Sequence, residues 1–390
     1  MTICTICKSA DTLRLLERDN VPRSGQFLTE SSIDGFATAS LKWTACKACG
    51  AISLDQSDLG KVDYTNVIRG TAKQLPEYRN LLVSMVQSAL DGAGGGRVIE
   101  IGANDGTFLR FLQDHGVSQL CGVEPSLAFG KNYDNLGIPF INFHLTSESA
   151  IEITQRVGSA AVVVCRHTLE HVPNPEEFLV ALRSLMTDRN SFAIIEVPDT
   201  EVLAYQGFVH ELWDEHLHYF SEFNLRILCA KSGLKLHEVH RFRHLGSGNI
   251  LVIVCPTDPC DLVQKSPPEV DAQILAEKFE NLSRNLTAAA SAWRGTVACL
   301  GASHPQSNFL SFSGAARFVE YMIDDDPEKI GRYVPLLGRP PVRVISSKEF
   351  VELEGEKTLI STAFGYPEWS AKIRASCGGI LNVVDPYSLV

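Results

Sequence analysis

The chain reads as an α/β protein in three parts. A small cysteine-stapled module spans residues 1–65, a Rossmann-like domain with a mostly parallel sheet spans 66–262, and a smaller α/β domain spans 263–390. Three observations predict this. Two Cys-x-x-Cys pairs, Cys4/Cys7 and Cys46/Cys49, lie in an N-terminal stretch with few long helical patterns. From Arg97 onward short apolar runs alternate with helical periodicities, the pattern of a parallel sheet wound with helices. After a turn at Val263–Pro268, Thr296-Val-Ala-Cys-Leu-Gly-Ala-Ser303 restarts the same alternation.

Taken in order, Ala51–Leu54 is a short strand of the first part. Residues 75–91 place Leu81, Leu82, Met85, Val86 and Leu90 at helical spacing, and the glycines that follow end that helix. Val98–Ile101 and Leu120–Val123 are strands joined by a glycine turn and a helix near Thr107–His115. Ala160–Cys165 is apolar throughout, as a strand covered on both faces should be. A helix over 176–187, a strand over Phe192–Val197, a helix over 221–232 and a strand over Leu251–Val254 complete the central part. A long helix over about 270–293 precedes strands at 296–303, 318–323, 342–345 and 358–361.

Composition narrows the class of function. The chain has 390 residues, 45% of them hydrophobic and 21% charged, which excludes a disordered or low-complexity protein. The formal net charge of −11 argues against nucleic acid as a partner. No apolar run approaches the ~18–20 residues that span a bilayer, and the N-terminus lacks the basic and apolar regions of a leader. The expectation is a soluble, cytoplasmic protein. The eleven cysteines are an odd number, so complete pairing into disulfides is impossible. In a reducing compartment two Cys-x-x-Cys knuckles point to metal. Zinc favours four sulfurs in a tetrahedron, and a site filled by four protein ligands is structural. Cys4, Cys7, Cys46 and Cys49 are therefore the expected ligands of one structural Zn(II).

The central part carries a second constellation. Glu100-Ile-Gly102-Ala-Asn104-Asp-Gly106 follows the first strand, and Glu124 ends the next. Glycines permit a tight turn against a ligand, and an acid at the end of the second strand of a nucleotide-binding βαβ unit accepts hydrogen bonds from a ribose diol. The spacing is not the G-x-G-x-x-G of dinucleotide sites; it resembles the first motif of S-adenosylmethionine (SAM) methyltransferases. Glu100, Gly102, Asn104, Gly106, Glu124 and His167 are the candidate cofactor residues. His167 and His171 follow the buried strand within Cys165–Pro175, at the edge that faces the ligand crevice in such folds. A third segment, Glu211–Ser221, gathers Asp214, Glu215, His216, His218 and Tyr219. A carboxylate beside a histidine orients it and raises its basicity, which suits general base chemistry.

In this order the parts resemble the SAM-dependent nucleotide-sugar C-methyltransferases of deoxysugar biosynthesis. The matching pieces are the two cysteine pairs, residues 100–107, His171-Val-Pro, Glu215-His216 with Tyr219-Phe-Ser221, Gly246-Ser247, Gly301-Ala-Ser303 and Asp325–Pro335. The resemblance implies a zinc-bearing N-terminal domain, a SAM domain and a C-terminal acceptor-binding domain. It implies proton abstraction next to the ketone of a dTDP-linked 4-keto-6-deoxysugar and attack of the resulting enolate on the SAM methyl group. It puts Glu215-His216 and His171 around the reacting sugar; with Trp213 where the family has the tyrosine proposed as base, His216 is expected to take over as base, Glu215 as its orienting partner and His171 as the group that polarises the acceptor oxygen. Departures cluster on the acceptor side. Trp213-Asp-Glu-His216 stands where the family has Tyr-His-Glu-His. Cys299-Leu-Gly-Ala-Ser-His-Pro-Gln306 replaces Gly-Tyr-Gly-Ala-x-x-Lys-Gly, and His244-Leu-Gly-Ser247 replaces His-Gly-Gly-Ser. The acceptor expected is a small molecule, a dTDP-sugar among the candidates. Methylation of another metabolite at O, N or C, or a non-catalytic SAM- or sugar-nucleotide-binding role, are the alternatives. No membrane or nucleic-acid partner is expected, and the chain is read as a monomer or small homo-oligomer.

Overall fold

Each part of the chain builds its own sheet. In the computed structural model, residues 3–55, 76–187, 189–207, 209–244, 247–260, 271–361, 367–377 and 381–385 are described. The expected boundaries at 65/66 and 262/263, the turn at Val263–Pro268 and Gly246 fall outside them.

The N-terminal part forms strands β1 (Thr12–Pro22), β2 (Thr38–Cys46) and β3 (Ile52–Leu54). The first two are longer than the short strands expected there. Charged residues and register shifts between Arg14 and Leu16 and between Arg18 and Val21 hide the alternation of β1. Helix α1 (Pro76–Gly92) leads into the central part. That part runs β4 (Val98–Ile101), α2 (Thr107–Asp114), β5 (Leu120–Val123), α3 (Gly130–Leu136), β6 (Phe140–Ile141), α4 (Ser147–Val157), β7 (Val162–Arg166), α5 (Pro175–Ser184) and β8 (Phe192–Pro198). It continues with α6 (Thr200–Gln206), β9 (His218–Tyr219), α7 (Glu222–Lys231), β10 (Leu234–His244) and β11 (Ser247–Pro256). The last part holds α8 (Ala272–Ala290), β12 (Thr296–Leu300), α9 (His304–Ser313), β13 (Tyr321–Ile323), β14 (Tyr333–Val334), β15 (Val342–Ile345), α10 (Ser347–Glu352), β16 (Lys357–Ile360), α11 (Pro367–Ser376) and β17 (Leu381–Val384).

The central sheet has seven strands in the order β10-β11-β8-β7-β4-β5-β6. Strands β8, β7, β4, β5 and β6 are parallel, while β11 and β10 return antiparallel at one edge. The chain moves outward from β4 to β5 and β6, then restarts on the other side of β4 with β7. The carboxyl ends of β4 and β7 therefore flank a topological switch point, where open α/β sheets bind ligands. The charge-rich edge strand β10 had no strand signature in the sequence; charges of this kind blunt an exposed edge. The third sheet, β14-β15-β13-β12-β16-β17, repeats the scheme, with a second switch point between β12 and β16.

The N-terminal sheet is wedged between the other two. Its order is β1-β2-β3-β9, so a two-residue strand from the central part completes it. Leu41, Trp43 and Ile52 share a core with Leu275, Phe309 and Val344 of the last part, and Leu28 bridges to Tyr333. At its other end Cys4, Ile6, Cys46 and Cys49 pack with Phe220, Leu225 and Leu228 of the central part. No helix among the described residues is long and apolar enough to cross a membrane.

Candidate functional site

The loop after β4 is held by main-chain hydrogen bonds. Asn104, with φ 49°, donates its N–H to Glu124 Oε2 at 3.0 Å, and Ser126 N–H donates to Oε1 at 2.8 Å. Glu124 therefore ties the β4 loop to the end of β5, and burial raises its carboxyl above the usual range. Gly102 has φ 69°, and a Cβ there would lie 2.1 Å from Thr168 Oγ1. At Gly106, φ 78°, a Cβ would lie 2.8 Å from Leu136 Cδ1 and 3.1 Å from the Tyr133 ring. Both glycines are thus required by neighbouring protein, a reason the motif alone did not reveal. Glu100 is 3% exposed and leaves Oε2 without a hydrogen bond. Burial pushes its carboxyl up to about 8, against the pull of Arg166, whose Nη1 lies 3.9 Å from Oε1.

On the neighbouring strand, the end of β7 carries an ion cluster that the sequence did not announce. Arg166 Nε donates to Glu196 Oε2 at 2.7 Å, and its guanidinium lies 4.4 Å from the centre of the Phe108 ring. Glu196 Oε1 accepts from His167 Nε2 at 2.9 Å, from Asn249 Nδ2 at 2.7 Å and from the Tyr78 hydroxyl. Burial opposes the charge on His167, but Glu196 and Glu170 outweigh it and raise the imidazole to about 10. His167 sits at φ 47°, anchored by these bonds. Its partners come from strands distant in sequence, so only the assembled sheet brings them together.

The cluster of rings beyond β7 is built by all three parts of the chain. His171 ends a 3-10 turn, Leu169–His171, just beyond β7. Its Nδ1 lies 2.9 Å from the Glu215 carbonyl oxygen, and its ring centre lies 4.9 Å from that of His216. Trp213 stacks against both His216, at 4.5 Å, and His304 at the start of α9, at 4.6 Å. Four rings from three distant segments thus converge. The N-terminal part clamps this loop: Trp213 Nε1–H donates to Ser24 Oγ at 2.6 Å, and Asp214 takes Arg23 Nε at 2.7 Å, Ser24 N–H at 3.3 Å and the Ser24 hydroxyl. Asn308 of α9 donates to the Leu212 carbonyl at 2.9 Å.

These contacts sort the candidates. Asp214 is engaged by the clamp. Tyr219 is buried, which raises its hydroxyl, and it meets the Trp213 backbone N–H at 2.8 Å. His218 faces the N-terminal part, with Nδ1 3.3 Å from Thr5 Oγ1, and burial lowers it to about 4. Glu215 meets His171 through its main chain. The carboxylate grouped with both imidazoles is instead Glu170, whose donor atoms and those of His171 and His216 lie within 4.8 Å of one another. Its place directly before His171 was the only sequence signal for it.

The four N-terminal cysteines converge as their spacing predicts. Sγ atoms are 3.7 Å apart for Cys4 and Cys49 and 3.5 Å for Cys7 and Cys46. Sulfurs at ~2.3 Å from one zinc ion are about 3.8 Å apart in a tetrahedron, so the four residues fit that ion. The contacts that lower the Cys46 thiol raise those of Cys4 and Cys49, since sulfurs this close share their charge, and a metal ion among them would favour the thiolate form of all.

Residues 75–239 match the family model of a methyltransferase domain. Among curated proteins, the chain is 25% identical over 256 residues to the C-methyltransferase NovU of Streptomyces niveus, which covers 65% of this chain and 60% of NovU. The chain thus spans about three fifths of that relative. It is also 31% identical over 135 residues, 33% of this chain, to 1% of the nonribosomal peptide synthetase kk1B of Curvularia clavata. A solved SAM-dependent methyltransferase from Anabaena variabilis superposes with a TM-score of 0.37 and 15% identity, over 47% of this chain and 86% of that one. The matched segment runs from α1 into β10 and holds β4 to β8 with their switch point, so the central part of this chain is similar to a methyltransferase domain.

Proposed function

We propose that the protein transfers the SAM methyl group to a carbon acidified by a neighbouring carbonyl, with a nucleotide-linked keto-deoxysugar as the acceptor class. The observation that carries this reading is the convergence of His171, Trp213, His216 and His304 beside the carboxyl end of β7. The similarity to NovU supports transfer to carbon. SAM, when bound, supplies the methyl electrophile. Glu124 accepts from its ribose and Glu100 from its ammonium group, with the loop Gly102–Gly106 as the floor and His167 at the end of neighbouring β7.

On the acceptor side His216 removes the proton, and His171 donates toward the acceptor oxygen as negative charge develops on it. A neutral imidazole has one ring nitrogen with a free lone pair and can accept a proton there. The Trp213 indole has a donor and no acceptor, so it shapes the pocket and takes no proton. We assign Glu215 to positioning this pair, through the carbonyl that meets His171. The cysteine cluster holds a structural Zn(II) at one end of the N-terminal sheet, while Arg23 and Ser24, past the other end of β1, steady the acceptor loop. The C-terminal part, 263–390, contributes acceptor-binding surface from the start of α9.

Labelled SAM incubated with a panel of nucleotide-linked keto-deoxysugars tests this, with mass spectrometry locating the added methyl. Methylation at carbon next to the ketone is expected. Label appearing only at oxygen or nitrogen of a different metabolite would favour a second reading, which the Trp213 and His304 rings support because they narrow the pocket. Absence of SAH binding by calorimetry would end both.

A further inference from the structure

We propose that Glu170, His171 and His216 bind one divalent transition-metal cation, distinct from the cysteine site, and that its open positions hold oxygen atoms of the acceptor. The three donor atoms lie within 4.8 Å of one another. Ligands at ~2.0–2.2 Å from a single ion are about 3.3–3.6 Å apart in a tetrahedron, so side-chain shifts on the order of 1 Å close the shell.

Glu170 supplies the driving force. It is 1% exposed, and neither carboxylate oxygen has a hydrogen-bond partner. Its one ionic neighbour among the described contacts is His167 Nδ1, at 3.5 Å, and that ring is bonded more closely to Glu196. A buried carboxylate is strongly disfavoured unless it is hydrogen-bonded, paired or bound to metal. The His167 imidazole pairs with Oε1 from 3.5 Å, and a cation at Oε2 would satisfy the oxygen that this pairing leaves bare.

His171 supplies an independent observation. A carbonyl can only accept, so the 2.9 Å contact to the Glu215 carbonyl oxygen puts the proton on Nδ1. Nε2 then carries the lone pair. Metal-bound histidines characteristically donate their other ring N–H to a carbonyl or carboxylate, which fixes the tautomer. The backbone reinforces the arrangement, since Leu217 N–H donates to the Glu170 carbonyl at 2.8 Å and so ties the 3-10 turn to the His216 loop.

Two imidazoles and one carboxylate fill three positions and leave others open, the composition of reactive rather than structural sites. A ketone and an adjacent hydroxyl of the acceptor can occupy two of them, and the cation then polarises the carbonyl oxygen. The inference deepens the proposed function, on which the identity of the bound oxygens rests. A liganded imidazole is not the base, so in the cation-loaded protein the C–H proton, acidified by the cation on the carbonyl oxygen, passes to water rather than to His216.

Zinc-replete full-length protein titrated with Mn(II), with bound ion counted by electron paramagnetic resonance, tests the site, because thiolates take Mn(II) poorly. One Mn(II) per chain is expected in the wild type, with binding weakened at least ~10-fold in Glu170→Gln and in His216→Asn. SAH affinity measured on the same samples should match in all three, showing that both variants fold. Failure of the wild type to bind Mn(II), Co(II) or Zn(II) beyond the cysteine site would overturn the proposal, as would equal binding in the variants. Mn(II) binding as expected with no SAH binding in the wild type would uphold the cation site and defeat the proposed methyl transfer. Turnover that survives full chelation of this site would return His216 to the role of base.

Discussion

The two walls of the proposed site, one for the cofactor and one for the acceptor, are made in different ways. The cofactor wall is local: Glu100, Gly102, Asn104, Gly106 and Glu124 lie on one βαβ unit, joined by backbone N–H donors to one carboxylate. The acceptor wall is assembled from Ser24, His171, Trp213, His216 and His304, which belong to all three parts. A wall made from one unit survives changes elsewhere, whereas one made from three depends on how the parts dock. Disturbance of the N-terminal part should therefore reach acceptor chemistry before it reaches SAM binding.

The severest test of that contrast is Cys46→Ser. Metal affinity is folding energy in small cysteine modules, so zinc is lost and the module with its Arg23–Ser24 clamp is expected to loosen. Elemental analysis should show well under one zinc per chain, turnover should fall by more than ~10³-fold, and SAH binding by calorimetry should persist. Simultaneous loss of SAH binding would break the comparison. His216→Asn comes next. Removing a general acid–base group or a metal ligand costs about 10²–10⁴-fold in turnover, and SAM affinity should stay nearly unchanged. Wild-type turnover in this variant would shift attention to His171.

The cofactor wall has its own signature. Burial favours the neutral form of Glu100, with its carboxyl near 8 in the empty protein. The proposed pairing with the SAM ammonium group needs the carboxylate, so binding must release a proton below that value. SAH affinity should rise roughly 50-fold from pH 6 to pH 8, and Glu100→Gln should flatten the profile. A flat wild-type profile would take Glu100 out of the cofactor contacts. The smallest effect is expected for Ser24→Ala, which removes the partner of the Trp213 indole N–H and one from Asp214. A lost hydrogen bond of ~1 kcal/mol corresponds to about fivefold in turnover, with SAH affinity unmoved. Equal losses on both would show that the walls are coupled.

The parallel sheet was legible because β4, β5, β7 and β8 are short apolar runs, buried on both faces and punctuated by glycine turns. Strand β13 is shorter than expected: residues 315–318 form a 3-10 turn, and pairing begins only at Tyr321. Strands β1 and β10 escaped notice because their charged residues break the alternation that marks a strand.

What this sequence determined by itself was the chemistry that lies close together along the chain. The two Cys-x-x-Cys knuckles and the Glu100–Gly106 turn are of that kind, because a few residues at set spacing already constrain where their donors point. Tertiary structure alone decided that β9 completes the N-terminal sheet, that Ser24 reaches Trp213, that Glu196 anchors both Arg166 and His167, and that Glu170 stands with His171 and His216. Those partners are separated by loops and whole elements, and no local periodicity records them. They meet because burying the apolar faces of three sheets against one another leaves a single way to pack the loops between them.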